Sequence, residues 1–474
     1  LSQPVSAPPR FVIGSTFRHV CVMAGTSAIG LLAVFAVDLM NLFYISLLGQ
    51  QQIAAAVGFA GTVGFFQTAL SIGMTIGVGA VVSRAVGAGQ PAEARRIASS
   101  SLLVMAIVAL AVGATTVAAL DPILDLLAAS GVTRRLAAGF LSITSFSLPL
   151  LSIGMCGSAL LRCVGDARRS MNVSLIAACA TAVLDPLLIF GFGLDLTGAA
   201  ISTVLSRLVL AALGWRWARL HGMLGWPVPS RIAGDAAAVL RIAGPAILTN
   251  LATPVGAAYV TRSMALFGSA ALAAQATVDR ITPLAFATIY ALTGAVGPIL
   301  AQNLGAGRFD RVRQTLRDSL VFMVVNVCAA WALLALGQNL IVTAFSAHGL
   351  TADLVRLFCS LTAGGFLFAG ALFVGNASFN NLGHPWLAML FNWGRATLGT
   401  IPFATVGSWY GPAGVMIGQA LGAAVFGISA MAVAFRITGR LRQGDTVGIG
   451  RSVMVPSSSG HAALAALVSR TRMH

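Results

Sequence analysis

The chain has 474 residues, 57% of them hydrophobic and only 9% charged, against about 25% charged in an ordinary soluble domain. A soluble core of this size has too little interior to hide that much apolar surface, which excludes a water-soluble enzyme before any motif is read. The 29 basic residues are all arginine, and the 13 acids are twelve aspartates and Glu93, for a net charge of +16. In so apolar a chain, excess arginine marks cytoplasmic loops rather than a nucleic-acid surface.

The six cysteines (Cys21, Cys156, Cys163, Cys179, Cys328 and Cys359) form no CxxC pair, and the six histidines stand singly. That is neither a disulfide framework nor a zinc site, and no cofactor is expected. Residues 1–18 read as a cytoplasmic N-terminus. Leu1 to Phe11 lack the charged-then-apolar order of a signal peptide, and the first apolar run, from His19, is too long to be a cleaved one.

A bilayer core takes about 20 apolar residues of helix. Twelve such runs follow in order: 19–47, 53–83, 95–118, 135–161, 168–193, 196–219, 238–267, 270–303, 315–346, 353–380, 386–409 and 413–436. Arginines fall in alternate connections. They occupy VGAGQPAEARR (Arg95, Arg96), RCVGDARRS (Arg162, Arg168, Arg169), the link after run six, GAGRFDRVRQTLR (Arg308 to Arg317) and the tail after run twelve. The opposite loops hold none, except Arg134 and Arg135 beyond the acidic stretch DPILDLLAAS. This asymmetry predicts an inner-membrane protein with both termini in the cytoplasm. The segment 439–474 reads as a cytoplasmic tail, with a short amphipathic surface helix near 461–470 as an alternative.

The two halves resemble each other. Residues 76–96, IGVGAVVSRAVGAGQPAEARR, match residues 294–314, GAVGPILAQNLGAGRFDRVRQ. An offset of 218 superposes Thr75 on Thr293, Gly79 on Gly297, Gly87 on Gly305 and Arg95 on Arg313. Six helices per half give both halves the same orientation, related by a pseudo-twofold axis along the membrane normal. The expected division is a first lobe over 19–219, a cytoplasmic linker over 220–236 and a second lobe over 237–438. The fold class is therefore an all-α membrane protein of twelve helices in two six-helix bundles.

Charges inside the membrane default to function, since each costs about 2.5–3.5 kcal/mol at the bilayer centre. Asp38 lies well inside run one and Asp185 inside run five. Asn41 and Tyr44 follow Asp38 at three and six residues, and Thr181 precedes Asp185 by one turn. Pro186 frees the carbonyl of residue 182. Run six adds Ser202 and Thr203. Two carboxylates with hydroxyl and carbonyl oxygens suit H⁺ or Na⁺; the structural alternative is hydrogen bonding between helices. In the second half, Asp279 and Arg395 stand within the runs, as do Asn376 and Asn380 one turn apart. With Tyr44, Phe65, Phe66, Met74, Phe286 and Tyr290 they are candidates for a substrate cleft, core packing being the alternative fate.

These features together resemble the multidrug and toxic compound extrusion (MATE) family. They are the acid of run one ahead of LLG, the VGAGQPAEARR loop, LDPLLIFGFG in run five and the AQNLGAGRFDR loop, over about residues 15–440. The resemblance implies a V-shaped antiporter, not an enzyme, that exports cationic amphipathic compounds by alternating access in exchange for H⁺ or Na⁺. It carries the cation site to Asp38, Asp185 and Thr203. Thr181 stands where the family often has Asn, which favours H⁺. Run one lacks the family's proline, although GPAIL at Pro245 keeps it in the second half. The second lobe lacks the acids of the NorM-like branch and looks more DinF-like. The expected partners are a small-molecule substrate, the coupling ion and the lipid bilayer, with the chain a monomer. The competing reading is a lipid-linked oligosaccharide flippase of the same superfamily.

Overall fold

A computed structural model describes residues 9–442, and every regular element among them is helical. The predicted surface helix near 461–470 lies outside the described residues. The first half comprises α1 (Thr16–Leu47), α2 (Gln51–Gly87), α3 (Pro91–Ala118), a short α4 (Leu120–Leu126), α5 (Gly131–Phe146), α6 (Leu148–Cys163), α7 (Ala167–Pro186) and α8 (Asp195–Leu220). The second half comprises α9 (Pro229–Ala265), α10 (Ser269–Ala285), α11 (Ala287–Gly305), α12 (Phe309–Ala344), α13 (Gly349–Ser360), α14 (Phe366–Asn381), α15 (Pro385–Gly394), α16 (Ile401–Ser408) and α17 (Gly411–Arg442).

Among the described residues nine helical spans are long and apolar enough to cross a membrane by themselves. Two bent pairs, α5–α6 and α10–α11, each turning by 47°, bring the number to eleven. The remaining predicted run, 386–409, is helical in three pieces: α15, a π segment Arg395–Gly399 and α16. Run four thus becomes a bent pair broken at Ser147, and run eight one broken at Phe286. Run ten is interrupted by the 3₁₀ turn Thr362–Gly365. Run five ends in a second π segment, Leu187–Gly191, just past Pro186. Hydropathy counts apolar residues and is blind to such breaks.

Two local pairings explain charges the sequence left odd. Arg134 reaches Asp121 at 2.8 Å and Asp125 at 2.6 Å, so the one arginine pair on the Arg-poor side is partly neutralised by its own acidic stretch. The predicted linker 220–236 is helical from Pro229. Its Asp235 is 2% exposed, paired with Arg96 at 3.1 Å and accepting from Ser100 Oγ at 2.9 Å.

At the Arg-rich end the two bundles meet with backbone close to backbone. A Cβ on Gly77 would lie 2.7 Å from the Val239 carbonyl oxygen, and one on Gly87 would collide with the Gln302 carbonyl. A Cβ on Gly305 would in turn collide with the Arg84 carbonyl. These last contacts are reciprocal. Residues 84 and 302 are related by the offset of 218, as are Gly87 and Gly305. The hydrogen bonds repeat the relation: Arg84 Nη2 donates to the Asn381 carbonyl at 2.8 Å, and Gln302 Nε2 to the Cys163 carbonyl at 2.6 Å. Asn381 and Cys163 are again 218 apart. The pseudo-twofold axis therefore runs between α2 and α11.

The segment Pro9–Ser15 straps this end. Phe11 is 1% exposed; its N–H donates to Gln302 Oε1 at 3.1 Å and its carbonyl accepts from Arg311 Nη2 at 2.9 Å. Arg10 crosses to the Gly165 carbonyl of the first half at 2.8 Å. Toward the other end α2 packs only within its own half, through Ile53, Ala56, Ala60 and Val63, and its glycine face is bare. A Cβ on Gly58, Gly61 or Gly64 would meet nothing within 4 Å, and Phe65 and Phe66 are exposed. The bundles are closed at the Arg-rich end and open at the other.

Gly87→Ala forces a methyl into the seam, an overpacking that costs about 1–3 kcal/mol. In a variant keeping only Cys163, which is 0% exposed beneath the seam, maleimide labelling is expected to rise about tenfold; unchanged labelling would mean that the seam tolerates the methyl.

At the same end Asp166 caps α7, accepting from the Arg169 N–H at 3.0 Å and from His221 Nε2 at 2.9 Å. Burial pushes its carboxyl up, but the Arg169 N–H, His221 and the Arg169 charge outweigh that and hold it below the ordinary aspartate value. A depressed folded value means the stabilisation is full above the unfolded value and is lost as pH falls through the folded one. Asp166→Ala should lower stability by about 1 kcal/mol at pH 7, with the difference shrinking below the carboxylate range in a melting series against pH.

Candidate functional site

The first-half site is built where α1, α7 and α8 meet. Asp185 is 1% exposed on α7, just before the π segment. Asn41, on α1, donates from Nδ2 to Asp185 Oδ2 at 2.8 Å. The other carboxylate oxygen, Oδ1, is buried with no hydrogen-bond partner among the described residues. Ser202 on α8 lies beside Asp185, and its Oγ is likewise buried without a partner in hydrogen-bond geometry. Asp38, one turn before Asn41, is accessible and within electrostatic range of Asp185. An orphaned carboxylate oxygen, an orphaned hydroxyl and a second carboxylate thus converge. Such a set suits a proton or a small hard cation.

Two predicted members sit differently. Thr181 donates to Ser206 Oγ at 2.7 Å and joins α7 to α8 by a packing bond. Thr203 donates to its own helix, to the Ala199 carbonyl at 2.9 Å. The hydroxyl beside Asp185 comes from Ser202, one residue and about 100° around the helix. Tyr44 packs edge-on against Phe190 of the π segment, centroids 6.1 Å apart, on the open side of the site.

The predicted substrate cleft divides three ways. Phe65 and Phe66 form an exposed edge-to-face pair toward the open end of α2. Met74 (2% exposed), Phe286 (0%), Asn376 (3%) and Asn380 (1%) are instead interior. Met74 belongs to a core that α2, α3 and α6 share with Val239 and Ala243 of α9, and Phe286 stacks on Phe366 at 4.1 Å. Asn376 accepts from Asn392 Nδ2 at 2.9 Å, holding α14 to α15. Tyr290, Asp279 and Arg395 line a separate cavity of about 260 Å³ inside the second bundle.

Sequence reading passed over Arg207, a guanidinium in the middle of α8. It donates to the Thr144 carbonyl at 2.6 Å and to Ser147 Oγ at 2.8 Å, satisfying groups at the α5–α6 bend. The signal was present, since any charge inside an apolar run needs a partner. Among the described residues no group of His, Cys, Asp and Glu is arranged to hold a metal ion.

The sequence profile of the MatE family matches residues 27–187 and again 245–406. The chain belongs to the MatE family. The second match begins 218 residues after the first (245 − 27), the offset already seen in the loops and across the seam. This MatE chain is 28% identical over 423 residues to an FAD transporter of Shewanella oneidensis, covering 88% of this chain and 93% of that one. It is 23% identical over 437 residues to the multidrug export protein MepA of Staphylococcus haemolyticus, covering 91% and 96%. A crystal structure of a mutant of the Vibrio cholerae MATE transporter VcmN superposes with a TM-score of 0.86 at 22% identity, over 91% and 98% of the two chains. That likeness shows the fold. The protein is a multi-pass membrane transporter of small molecules, and its relatives are transporters rather than enzymes.

The two α8 hydroxyls give a test of the geometry. Pairing a hydroxyl with a carboxylate or a bound ion is worth about 1.5–3 kcal/mol, and Ser202 is the α8 hydroxyl placed beside Asp185 to do so once the site is loaded. Ser202→Ala should therefore lower gradient-driven transport about tenfold or more, while Thr203→Ala stays within about twofold. Initial rates in proteoliposomes check this, and the reverse order would move the site to Thr203.

Proposed function

We propose that this MatE-family transporter is a secondary antiporter. It exports organic, cationic amphipathic compounds in exchange for H⁺, Na⁺ being the other candidate ion. The observation that carries the reading is the Asp38–Asp185 pair, with Asp185 Oδ1 left unpartnered inside the first bundle. A relative that is a multidrug export protein supports the efflux direction.

The Arg-rich end is assigned to the cytoplasm of a bacterial inner membrane. Lobe one spans 19–219 and lobe two 237–438, and the chain works as a monomer. With its seam closed, the molecule faces outward. The ion binds between Asp38, Asp185 and Ser202 and removes charge that attracts a cationic substrate. Its arrival weakens substrate binding, and substrate weakens ion binding by the same factor. Asp38 reports this to α1, whose next turn toward the closed end carries Phe35 in contact with Tyr290 of the second half, centroids 6.3 Å apart. Release of the ion to the cytoplasm, with the seam opened, completes the cycle.

A second reading takes an organic anion of the flavin nucleotide type as substrate. It is favoured by the FAD transporter relative and by Arg395, a cationic side chain inside the second bundle.

Efflux of a fluorescent organic cation from proteoliposomes, under an imposed pH gradient or an imposed Na⁺ gradient, tests the first reading. A pH gradient alone should drive efflux, and Asp38→Asn should abolish it. A Na⁺-driven rate would change the ion, and a mutant equal to wild type would make Asp38 structural and end the mechanism.

A further inference from the structure

The first-half acid site has a partial counterpart in the second half. The repeat offset of 218 carries Asp38 to Gly256 and Ser202 to Ala420. Both Gly256 and Ala420 line the 260 Å³ cavity of the second bundle. This cavity thus takes in two of the four positions that answer to the acid site, with the carboxylate of Asp38 and the hydroxyl of Ser202 deleted, whereas Asn41 and Asp185 answer to Tyr259 and Phe403 outside its lining.

A guanidinium stands there. Arg395 opens the π segment of the α15–α16 span, the repeat counterpart of α7; at the offset of 218 it answers to Ala177, eight residues before Asp185, so the charge is this span's own and not a replacement of Asp185. Short π segments inside helices frequently mark functional sites, because they re-aim side chains and loosen the carbonyl ladder. Among the described residues the Arg395 side chain has no hydrogen-bond or ion-pair partner. Its backbone carbonyl accepts from Thr400, and the group whose charge it feels is the Tyr290 hydroxyl. Thr362 Oγ1, on the 3₁₀ turn that also lines the cavity, is buried with no partner. The cavity's carboxylate, Asp279, accepts from Gln275 Nε2 at 2.9 Å through Oδ1.

An arginine at this depth is costly and is retained where something pairs with it. A guanidinium and a hydroxyl that line one cavity are donors that no acceptor among the described residues pairs with. A ligand can supply that acceptor. Tyr290, Phe358, Phe366 and Phe373 add aromatic surface among small and aliphatic lining residues. Phe366 rests on Phe286, and Tyr290 leans on Phe373 with centroids 5.5 Å apart. Flat apolar rings are received by such walls, while an anionic group is received by the donors.

We propose that the second-bundle cavity is a binding site for an aromatic organic anion, whose phosphate or carboxylate is held by Arg395 and Thr362. The two bundles then carry sites of opposite polarity: a cation site in the first, an anion site in the second. Tyr290 links them, since its ring meets Phe35 on α1, one turn from Asp38. The choice of ligand class rests on the second reading above; the site itself rests on the cavity.

Flavin mononucleotide and riboflavin share one ring system and differ by the phosphate, so their difference isolates the anionic group. Binding to the full chain in nanodiscs is read from quenching of flavin fluorescence. Flavin mononucleotide should bind about ten- to a hundredfold more tightly than riboflavin, as a charge-assisted hydrogen-bonded contact implies. Arg395→Gln should erase that preference and leave riboflavin affinity unchanged, and Arg395→Lys should keep part of it. Thr362→Val should lower the preference severalfold, and serves if Arg395→Gln does not fold. Equal binding of the two flavins by wild type, or a preference that survives both the Arg395 and the Thr362 changes, overturns the proposal.

Flavin uptake into proteoliposomes separates the two claims. A preference lost in Arg395→Gln without any flavin transport keeps the anion site and removes the flavin reading. Flavin transport with no phosphate preference keeps the reading and removes the site.

Discussion

The reciprocal contact between α2 and α11 governs the rest of this molecule. Gly87 lies on the backbone of residue 302, and Gly305 lies on the backbone of residue 84. Helices in lipid gain little from burying apolar surface against one another, because the surrounding tails are just as apolar. Association depends on close packing and on polar groups finding partners. Glycine lets the two backbones touch, and the flanking Arg84 and Gln302 then reach carbonyls of the opposite bundle. The seam confines tight inter-bundle packing to one end of the molecule. The bare glycine face of α2 at the other end follows from it.

With the bundles joined in this way, the repeat has a functional consequence. Each bundle offers a candidate interior site, the first where α1, α7 and α8 meet and the second in the cavity lined from α9, α10, α11, α14 and α17, and the side chains at two repeat-related positions differ. Asp38 and Ser202 face the first site, while Gly256 and Ala420 face the second. The backbone frame is shared and the charge is not. A charged group at membrane depth is rare without a partner, which is the physical ground for proposing a ligand at each. The π segments beside Asp185 and at Arg395 are ten residues out of register with the repeat, so each lobe carries its own backbone irregularity.

Much of this was legible in the sequence. The apolar runs, the arginine asymmetry and the offset of 218 identify a two-bundle membrane protein, and the family match repeats at the same offset. Asp38 and Asp185 stood out in the sequence because an intramembrane acid is rare, and Asn41 followed from its spacing to Asp38. Other residues were not legible, since helical periodicity gives spacing but not facing. Met74 and Phe286 fill cores, and Asn376 bonds to Asn392, although each could equally have faced a cleft on spacing alone. The family pattern pointed to Thr203, whereas the rotation of α8 turns Ser202 toward Asp185. Arg207 escaped notice because its partners are groups at a helix bend that hydropathy does not register.

The sequence by itself determined the solvent, the repeat and the presence of costly charges. These follow from composition and order alone, since lipid demands apolar runs and tolerates few ionisable groups. Only the tertiary structure decided which oxygens are left without partners, where Gly256 and Arg395 come to share a cavity, and which end is sealed. Those outcomes depend on helix rotation and on approaches of a few ångströms between residues hundreds of positions apart. Such distances are set by packing between helices, and no local pattern in the chain encodes them.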